Sequence, residues 1–439
     1  MLIKVFGAAV QGIDATLITI EVNSSRGCMF YLVGLPDSAV KESHQRIISA
    51  LQVNGYRMPT SNIVINMAPA DIRKEGSAYD LPLAIGMLAA GEVIQPDKLN
   101  RYLMMGELSL DGSLQPIKGA LPIAIKAREL GFEGIIVPRQ NALEAAVVNQ
   151  IQVYGVENIK EVIEFFNGKQ ELTPTIVNTR EEFYAQQSSF DLDFADVKGQ
   201  ENVKRALEVA AAGGHNIILI GAPGSGKSMV AKRIPTILPP MQLEESMEVT
   251  KIYSVAGMVD REHPLITKRP FRSVHHTVTR AALIGGGVIP NPGEISLAHG
   301  GVLFLDELAE FHKPVLEVLR QPLEEHKIRI SRNSGCYEYP ADFMLIAAMN
   351  PCPCGNYPDL NKCNCTKTQI QNYLGHVSQP FLDRMDLCVE ASRVEYGELH
   401  KTGKEETSAE IRNRVCTARK IQEQRYEGTD IRTNSGIGV

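Results

Sequence analysis

The stretch IILIGAPGSGKS, residues 217–228, decides the fold of this chain. Its first four residues are typical of a buried strand, and the last eight fit the pattern G-x-x-x-x-G-K-[ST] in full. Glycines let backbone N–H groups wrap around phosphates, the next helix presents its positive end, and Lys227 adds a full charge. A nucleoside triphosphate is therefore the predicted ligand, and a Gly-rich turn without function is the alternative. The predicted binding residues are Gly221, Ala222, Pro223, Gly224, Ser225, Gly226, Lys227 and Ser228.

Two further apolar runs predict strands of the same sheet. Residues 301–305 lead into Asp306 and Glu307, and residues 343–349 lead into Asn350. Three buried strands separated by helical stretches predict an α/β fold, in which a parallel sheet carries helices on both faces. Ligands of such sheets bind at the carboxyl ends of the strands, which is where these three polar residues fall.

The predicted strand ends carry groups that nucleotide hydrolysis needs. Hydrolysis requires a metal that neutralises the transferring phosphoryl group and a side chain that positions the attacking water. We assign Ser228 and Asp306 to Mg²⁺ and Glu307 to the water; the alternative for the two carboxylates is a helix start, where acidic side chains are favourable. Asn350 is a candidate for binding the γ-phosphate or the water, and its alternative is a turn residue before Pro351.

An arginine lies among carboxylates in FLDRMDL, residues 381–387. Arg384 is a candidate arginine finger, which reaches a nucleotide bound by a neighbouring subunit. The alternative is an internal ion pair between Arg384 and an aspartate, which the spacing alone does not exclude.

Four motifs together resemble an AAA+ ATPase, and more narrowly the magnesium-chelatase subunit-I-like family that includes ComM/YifB-type competence proteins. These motifs are Gly221 to Ser228, Gly293 to Glu307, Asn350 to Gly355 and Leu382 to Leu387. The resemblance implies ATP and Mg²⁺ as ligands, Asn350 as the sensor of the γ-phosphate, Arg384 as a finger acting in trans, and a homo-hexameric ring. The resemblance to ComM-like members implies a DNA helicase that drives branch migration during DNA uptake and recombination.

Residues 1–167 alternate strand and helix patterns without a phosphate loop and resemble the Lon protease domain. The resemblance is carried by residues 74–78 and 110–121. Such a protease needs a serine nucleophile and a lysine base. Ser77 matches the nucleophile, but Leu121 occupies the position of the lysine base. Lys118 lies three residues before that position. We therefore expect a catalytically inactive domain that serves assembly or partner binding.

The remaining chain divides into three predicted segments. Residues 168–193 are polar and suit a linker, and residues 194–400 form the AAA+ core. Residues 401–439 begin a helical lid that is expected to be truncated, because one helix at about 408–424 is followed by a weak tail. The expectation is a fragment, a frameshifted product or a reduced family member.

Lys327, Arg329 and Arg332 alternate with apolar residues in a predicted β-hairpin that turns near Asn333-Ser334-Gly335. In related ring motors the matching hairpin points into the pore, so these cations are candidate DNA phosphate contacts. The alternative is an exposed edge strand protected by charge. For a second basic stretch, Lys268 to Arg272 with His275, His276 and Arg280, DNA contact and the absence of DNA contact are equally supported interpretations.

Four of the eight cysteines lie close together in the sequence: Cys352, Cys354, Cys363 and Cys365. Four thiols can bind Zn²⁺ tetrahedrally, but one residue between the members of each pair departs from the usual two. The two interpretations are a zinc site and a loop of reduced thiols.

Composition limits the class of protein. The net charge of −6 and pI near 6.0 argue against a generally basic nucleic-acid coat protein, so any DNA contact must be local. No signal peptide or membrane span is visible, and the cysteine usage favours a cytoplasmic protein. A protein-remodelling or metal-chelatase-type chaperone is the main alternative to the helicase, and a protease is the third.

Overall fold

The computed structural model describes residues 2–187, 190–287, 290–332, 335–393 and 405–437. The chain forms two compact units. The first comprises Met1–Ala185, Thr250–Ile266 and Ser331–Tyr337, and the second comprises Gln186–Val249, Thr267–Ile330 and Glu338–Val439. Both are mixed α/β structures, as the sequence predicted.

The first unit is built on a seven-stranded sheet. Its strands are β1 (Leu2–Gln11), β2 (Asp14–Ser25), β3 (Phe30–Val33), β4 (Asn62–Ala68), β5 (Tyr102–Met104), β8 (Gly134–Pro138) and β9 (Gln152–Val156), and the short strands β6 (Glu107–Leu108) and β7 (Leu114–Gln115) pair separately. The order across the sheet is β3-β4-β2-β1-β5-β8-β9. The β1–β2 and β2–β4 pairs are antiparallel, whereas the pairs from β1 through β9 on the other side are parallel.

Six helices belong to this part of the chain: α1 (Ser38–Val53), α2 (Asp80–Ala90), α3 (Ala120–Glu129), α4 (Arg139–Ala146), α5 (Ile159–Phe166) and α6 (Thr179–Gln186). The apolar helix α2 is buried along its whole length, which explains why its sequence shows little amphipathic alternation. Helix α6 lies within the segment predicted as a linker. Glu181 and Glu182 favour its first turn, Thr179 donates a hydrogen bond to the Val147 carbonyl oxygen, and Phe183 is buried.

The second unit contains a five-stranded parallel sheet in the order β11-β14-β17-β10-β18. Its strands are β10 (Ile217–Ile220), β11 (Phe271–Val274), β14 (Val302–Leu305), β17 (Met344–Met349) and β18 (Leu387–Glu390). The parallel sheet confirms the sequence prediction. The sequence did not predict strands β11 and β18, because each mixes polar with apolar side chains and lies at an edge of the sheet.

The helices of the remaining chain belong mainly to the second unit. They are α7 (Glu201–Gly213), α8 (Lys227–Ala231), α9 (Leu243–Ala256), α10 (Arg280–Ile284), α11 (Glu294–Leu297), α12 (Lys313–Glu317), α13 (Arg320–Glu325), α14 (Lys367–Leu374), α15 (Gln379–Leu382) and α16 (Ser408–Arg425). Helix α7 ends at Gly214, whose φ of 73° suits glycine. Helix α16 packs against α7, where Ile411 and Val415 join the core of the sheet.

Two short antiparallel pairs complete the second half of the chain. Strands β12 (Gly285–Gly286) and β13 (Asn291–Pro292) form one, and β15 (Lys327–Arg332) and β16 (Gly335–Pro340) form the predicted hairpin. Of its predicted turn, Asn333 and Ser334 lie outside the described residues, as do residues 394–404 at the predicted start of the lid. Among the described residues, every helix is too short or too polar to span a lipid bilayer.

Candidate functional site

The phosphate loop connects β10 to α8 in the second unit. Gly224 and Gly226 have φ values of 76° and 85°, in the left-handed region, and a Cβ atom on either would meet no atom within 4 Å. Glycine is therefore required at both positions by the backbone conformation and not by crowding. The space beside the Cα atoms of both residues is open. The Gly221 N–H donates to the Met349 carbonyl oxygen at 3.1 Å, so the loop begins in register with the end of β17.

Lys227 is buried at the start of α8. Its Nζ donates to the carbonyl oxygens of Gly221 at 2.6 Å and Ala222 at 3.0 Å, and lies 3.4 Å from Asn350 Oδ1. Burial lowers the pKa of this amine, and the nearby Asp306 carboxylate opposes that shift. Phosphate oxygens would therefore offer this ammonium the negative charge that carbonyl oxygens supply only in part.

Ser228 and Asp306 meet although 78 positions separate them in the sequence. The Ser228 hydroxyl donates to Asp306 Oδ2 at 2.7 Å, and the other oxygen, Oδ1, accepts from the Glu307 N–H at 3.0 Å. A hydroxyl and a carboxylate beside a phosphate loop are oxygen donors, which is the set that Mg²⁺ prefers together with waters and phosphate oxygens. The donor chemistry therefore fits the magnesium ion expected here.

Glu307 follows β14 with a φ of 54°, which is strained for a residue other than glycine. Its Oε2 lies 3.0 Å from His276 Nδ1, directly after β11. The sequence had offered His276 only as one member of a basic stretch, because β11, the strand that brings it beside Glu307, was not predicted.

Gln200 also contacts the phosphate loop, although the sequence did not single this residue out as functional. Its Nε2 donates to the Ser225 carbonyl oxygen at 2.9 Å and also contacts the Ser392 carbonyl oxygen. Gln200 has a φ of 59° just before α7. The amide therefore joins the phosphate loop to the segment that follows β18.

Arg384 lies at the other end of the same sheet. Its carbonyl oxygen accepts from Asn216 Nδ2 at 3.1 Å, and Asn216 directly precedes β10, whereas the phosphate loop follows that strand. The guanidinium forms an ion pair with Glu324 of α13. The structure therefore brings together Lys227, Ser228, Asp306 and Asn350, but it does not bring Arg384 to its own phosphate loop.

The candidate DNA-contacting hairpin has the predicted alternation, since Ile328 and Ile330 are buried and Arg329 is exposed. Glu338 on the facing strand was not anticipated. Its carboxylate lies 3.3 Å from Lys327 Nζ and 2.8 Å from Arg329 Nε, and these hydrogen bonds lower its pKa. Arg332 is exposed.

Two arginines of the second basic stretch have internal roles. Arg269 donates to the carbonyl oxygens of Pro239 and Gly300, and Arg272 makes a bidentate pair with Glu294 at 2.6 and 2.8 Å. Bidentate arginine pairs hold two segments in a fixed geometry, so we interpret these side chains as structural.

The four clustered cysteines converge. Cys352 Sγ lies 3.4 Å from Cys354 Sγ and 3.8 Å from Cys363 Sγ, and the last two are 3.6 Å apart. Cys365 completes a group whose sulfur atoms all lie within 4.8 Å of one another. The Asn356 N–H is the main cause that lowers the pKa of Cys354 to about 6. Gly355, within this loop, lies directly against Pro223 of the phosphate loop.

The residues considered for proteolysis are placed separately in the first unit. The Ser77 hydroxyl donates to the Glu107 carboxylate, and the Lys118 side chain lies against Gly257. The Leu121 N–H, at the position expected for the base, donates to Glu144 Oε1 at 3.2 Å. A carboxylate, and not an amine, therefore accepts the proton of the candidate nucleophile.

Comparison with known proteins identifies the family of this chain. Residues 193–399 match the model described as "Magnesium chelatase, subunit ChlI", and residues 20–141 match "Subunit ChlI of Mg-chelatase". The competence protein ComM of Haemophilus influenzae is 43% identical over 425 residues, which cover 96% of this chain and 82% of ComM. The chain belongs to the ChlI-like family of AAA+ ATPases that includes ComM and YifB. The uncharacterized protein YifB of Escherichia coli is 44% identical over 422 residues, 95% of this chain and 81% of YifB.

Membership in the ChlI-like family makes this protein an AAA+ ATPase, with ATP and Mg²⁺ as the ligands that the family implies. Lon protease 2 of Bacillus subtilis is 29% identical over 199 residues, which cover 36% of this chain and 33% of that protein. The fold is therefore a Lon-protease-like α/β domain together with an AAA+ phosphate-loop domain.

Proposed function

We propose that this protein is an ATP-driven ring motor that acts on DNA, as a branch-migration helicase in transformation or recombination. The main support is that the candidate nucleotide-site residues lie at two opposite ends of one parallel sheet. Lys227, Ser228, Asp306 and Asn350 meet at the carboxyl ends of the strands, whereas Arg384 is tied to Asn216 at the amino end of β10.

Within one chain, each group at the carboxyl ends has a role. Backbone N–H groups of the loop and Lys227 bind the phosphates, and Ser228 and Asp306 hold Mg²⁺. Glu307 orients and deprotonates the attacking water, while Asn350 binds the γ-phosphate. The metal supplies charge neutralisation on the transferring phosphoryl group.

Arg384 completes the site of a neighbouring subunit. Strand β10 has four residues and so spans about 13 Å between Asn216 and the phosphate loop. An arginine held at the amino end of this strand is suited to an adjacent nucleotide rather than to its own. This arrangement supports a closed ring, and the hexamer is the number that the family resemblance implies.

The DNA proposal rests on the hairpin of β15 and β16 together with the relatedness to a protein named for competence. We assign phosphate contacts to Lys327, Arg329 and Arg332. The second candidate is a protein-remodelling or metal-chelatase-type chaperone. It is favoured by Glu338, which neutralises part of the hairpin's positive charge, and by the match to a chelatase subunit.

DNA-stimulated hydrolysis distinguishes these two functions. We expect single-stranded or branched DNA to raise the ATPase rate, and the triple change of Lys327, Arg329 and Arg332 to Glu to abolish this response while hydrolysis without DNA continues. A matched control reverses three exposed cations of the first unit, Lys160, Lys169 and Arg180, which gives the same change in net charge. An equal DNA response in both variants removes the hairpin from the proposal, and no response in the unaltered protein favours the chaperone.

The four cysteines are proposed to hold one structural Zn²⁺. A tetrahedral site with Zn–S bonds of about 2.3 Å requires sulfur atoms about 3.8 Å apart, close to the 3.4 to 3.8 Å found here. A disulfide would need about 2.05 Å. Metal analysis should find about one equivalent of zinc, which Cys363→Ser loses and the control Cys416→Ser keeps. Less than about half an equivalent in the unaltered protein would favour a loop of reduced thiols.

The Lon-like domain is proposed to serve assembly or partner binding without catalysis. The support is that Ser77 donates its hydrogen bond to Glu107 and not to a lysine. A peptidase activity that Ser77→Ala removes would overturn this assignment. Reduced thiols and the use of ATP fit a cytoplasmic protein.

A further inference from the structure

Two adjacent histidines end beside the carboxylate assigned to the attacking water. Strands β11 and β14 are parallel neighbours, and Val274 is paired with Leu305. The next two residues on one strand are His275 and His276, and on the other they are Asp306 and Glu307. The register of the sheet therefore carries both imidazoles to the same edge as Glu307.

The three side chains have the geometry of a ligand set. One nitrogen of each imidazole and one Glu307 carboxylate oxygen all lie within 4.8 Å of one another, and His276 Nδ1 is 3.0 Å from Glu307 Oε2. The rings of His275 and His276 lie 4.0 Å apart between centroids, with an interplanar angle of 36°. Both nitrogens can therefore face one ion.

Each imidazole is also held by a neighbour. His275 Nδ1 lies 3.0 Å from Thr277 Oγ1 and 3.4 Å from the Thr277 backbone nitrogen. In the tautomer whose Nδ1–H donates to the closer Thr277 hydroxyl, the Nε2 lone pair is free to bind an ion. The His276 and Phe311 rings are nearly perpendicular, with centroids 6.5 Å apart and an interplanar angle of 78°. A hydrogen bond to the second nitrogen of a ligating histidine is the usual arrangement at metal sites, because it fixes the tautomer and the ring.

We propose that His275, His276 and Glu307 form a second divalent-cation site, which takes a borderline transition metal and inhibits ATP turnover. Two imidazoles and one carboxylate suit Ni²⁺ or Zn²⁺, whereas Mg²⁺ prefers oxygen ligands alone. Such a site is thus chemically distinct from the oxygen pair of Ser228 and Asp306, which is proposed for the magnesium of ATP.

The inhibitory effect rests on the proposed role of Glu307. A metal bound to this carboxylate removes its capacity to accept a proton from the attacking water. The phosphate loop, Lys227 and Asn350 are not ligands of the second site. The metal should therefore lower the turnover number and leave the affinity for ATP nearly unchanged.

The test uses the full chain loaded with zinc at the cysteines and Ni²⁺ as the added probe. Isothermal titration calorimetry measures Ni²⁺ binding without nucleotide, and a separate assay follows hydrolysis at saturating Mg²⁺ and ATP during Ni²⁺ titration. The variants are His275→Ala and the control His263→Ala, whose imidazole is exposed in the first unit beside Glu182. Each variant is compared with its own rate without Ni²⁺.

We expect one Ni²⁺ site in the unaltered protein and in His263→Ala, and at least about tenfold weaker binding in His275→Ala. Inhibition should weaken by the same factor. Absence of Ni²⁺ binding, equal binding by His275→Ala, or binding without inhibition would each overturn the proposed inhibitory site. Absence of hydrolysis before any Ni²⁺ is added would instead contradict the proposed function, so the two failures are distinguishable.

Discussion

Gly355→Ala tests whether the cysteine loop supports the phosphate loop. Gly355 has a φ of 76°, and a Cβ atom there would lie 2.3 Å from Cδ and 2.8 Å from Cγ of Pro223. Gly428 has a nearly identical φ of 80°, but its Cβ would meet no atom within 4 Å. Gly428→Ala is therefore a matched control, because it introduces the same backbone strain without the clash.

The structure gives a magnitude for each change. A left-handed conformation costs a residue other than glycine about 1–2 kcal/mol, so both variants should lose about that much stability. An ordinary carbon contact is about 3.5 Å, and thus Gly355→Ala must also displace the Pro223 ring by about 1.2 Å. Overpacking adds about 1–3 kcal/mol. A displacement of about 1 Å in a group that positions the substrate lowers turnover by about 100-fold.

Three measurements on both variants check this reasoning: urea unfolding, zinc content, and the rate of ATP hydrolysis. We expect Gly355→Ala to have the same zinc content as the unaltered protein, to lose about 2–5 kcal/mol of stability and to hydrolyse ATP about 100-fold more slowly. Gly428→Ala should lose about 1–2 kcal/mol and keep its turnover. Equal turnover in the two variants would refute the idea that Gly355 sets the position of the phosphate loop.

Three further predictions follow from charged pairs. Glu338→Gln removes the carboxylate that faces two hairpin cations, so DNA affinity should rise. The slope of log affinity against log salt concentration should steepen by the amount expected for about one or two additional phosphate contacts. Unchanged affinity would argue against DNA at the hairpin. Glu324→Gln removes the charged partner of Arg384 and should change the turnover number more than the affinity for ATP, while an unchanged turnover would argue against a trans-acting arginine. Asp342 raises the pKa of His326, so the pairing of these two side chains stabilises the folded state. This stabilisation is complete below the pKa of about 6.5 that His326 has in the unfolded chain, and it is lost as the pH rises through the pKa of the folded state. His326→Gln should therefore flatten the fall in the free energy of unfolding above that pH, and an unchanged slope would contradict the pairing.

The sequence predicted the α/β fold and the centre of the site because those features depend on local patterns. The apolar run before Gly221 predicts a strand, and the glycines predict a loop that needs positive φ values. The carboxylates after β14 and Asn350 after β17 come together because parallel strands end at one edge of the sheet. None of these steps requires knowledge of a long-range side-chain contact.

The missed features depend on pairings that no local pattern encodes. His276 reaches Glu307 only because β11 pairs with β14, and the four residues of β11 are too polar to predict a strand. Glu338 meets Lys327 and Arg329 only once the register of the hairpin is known. The hairpin could be predicted, but not its register, because the turn that sets the register has no distinctive pair of residues.

Asn216 holds the backbone that carries Arg384, the residue proposed to complete a neighbour's site. Its Oδ1 accepts from the Leu345 N–H at 2.9 Å, its Nδ2 donates to the Arg384 carbonyl oxygen at 3.1 Å, and its carbonyl oxygen accepts from the Asp386 and Leu387 N–H groups. One asparagine therefore fixes the amino ends of β10, β17 and β18 together with the backbone that carries the arginine, through both its side-chain amide and its main-chain carbonyl. Because Arg384 is fixed by the same sheet whose opposite edge holds the phosphate loop, movement of that sheet would shift both half-sites together. In the proposed ring, nucleotide binding at one subunit would thus move the arginine presented to the next, which is the coupling that the proposed motor needs.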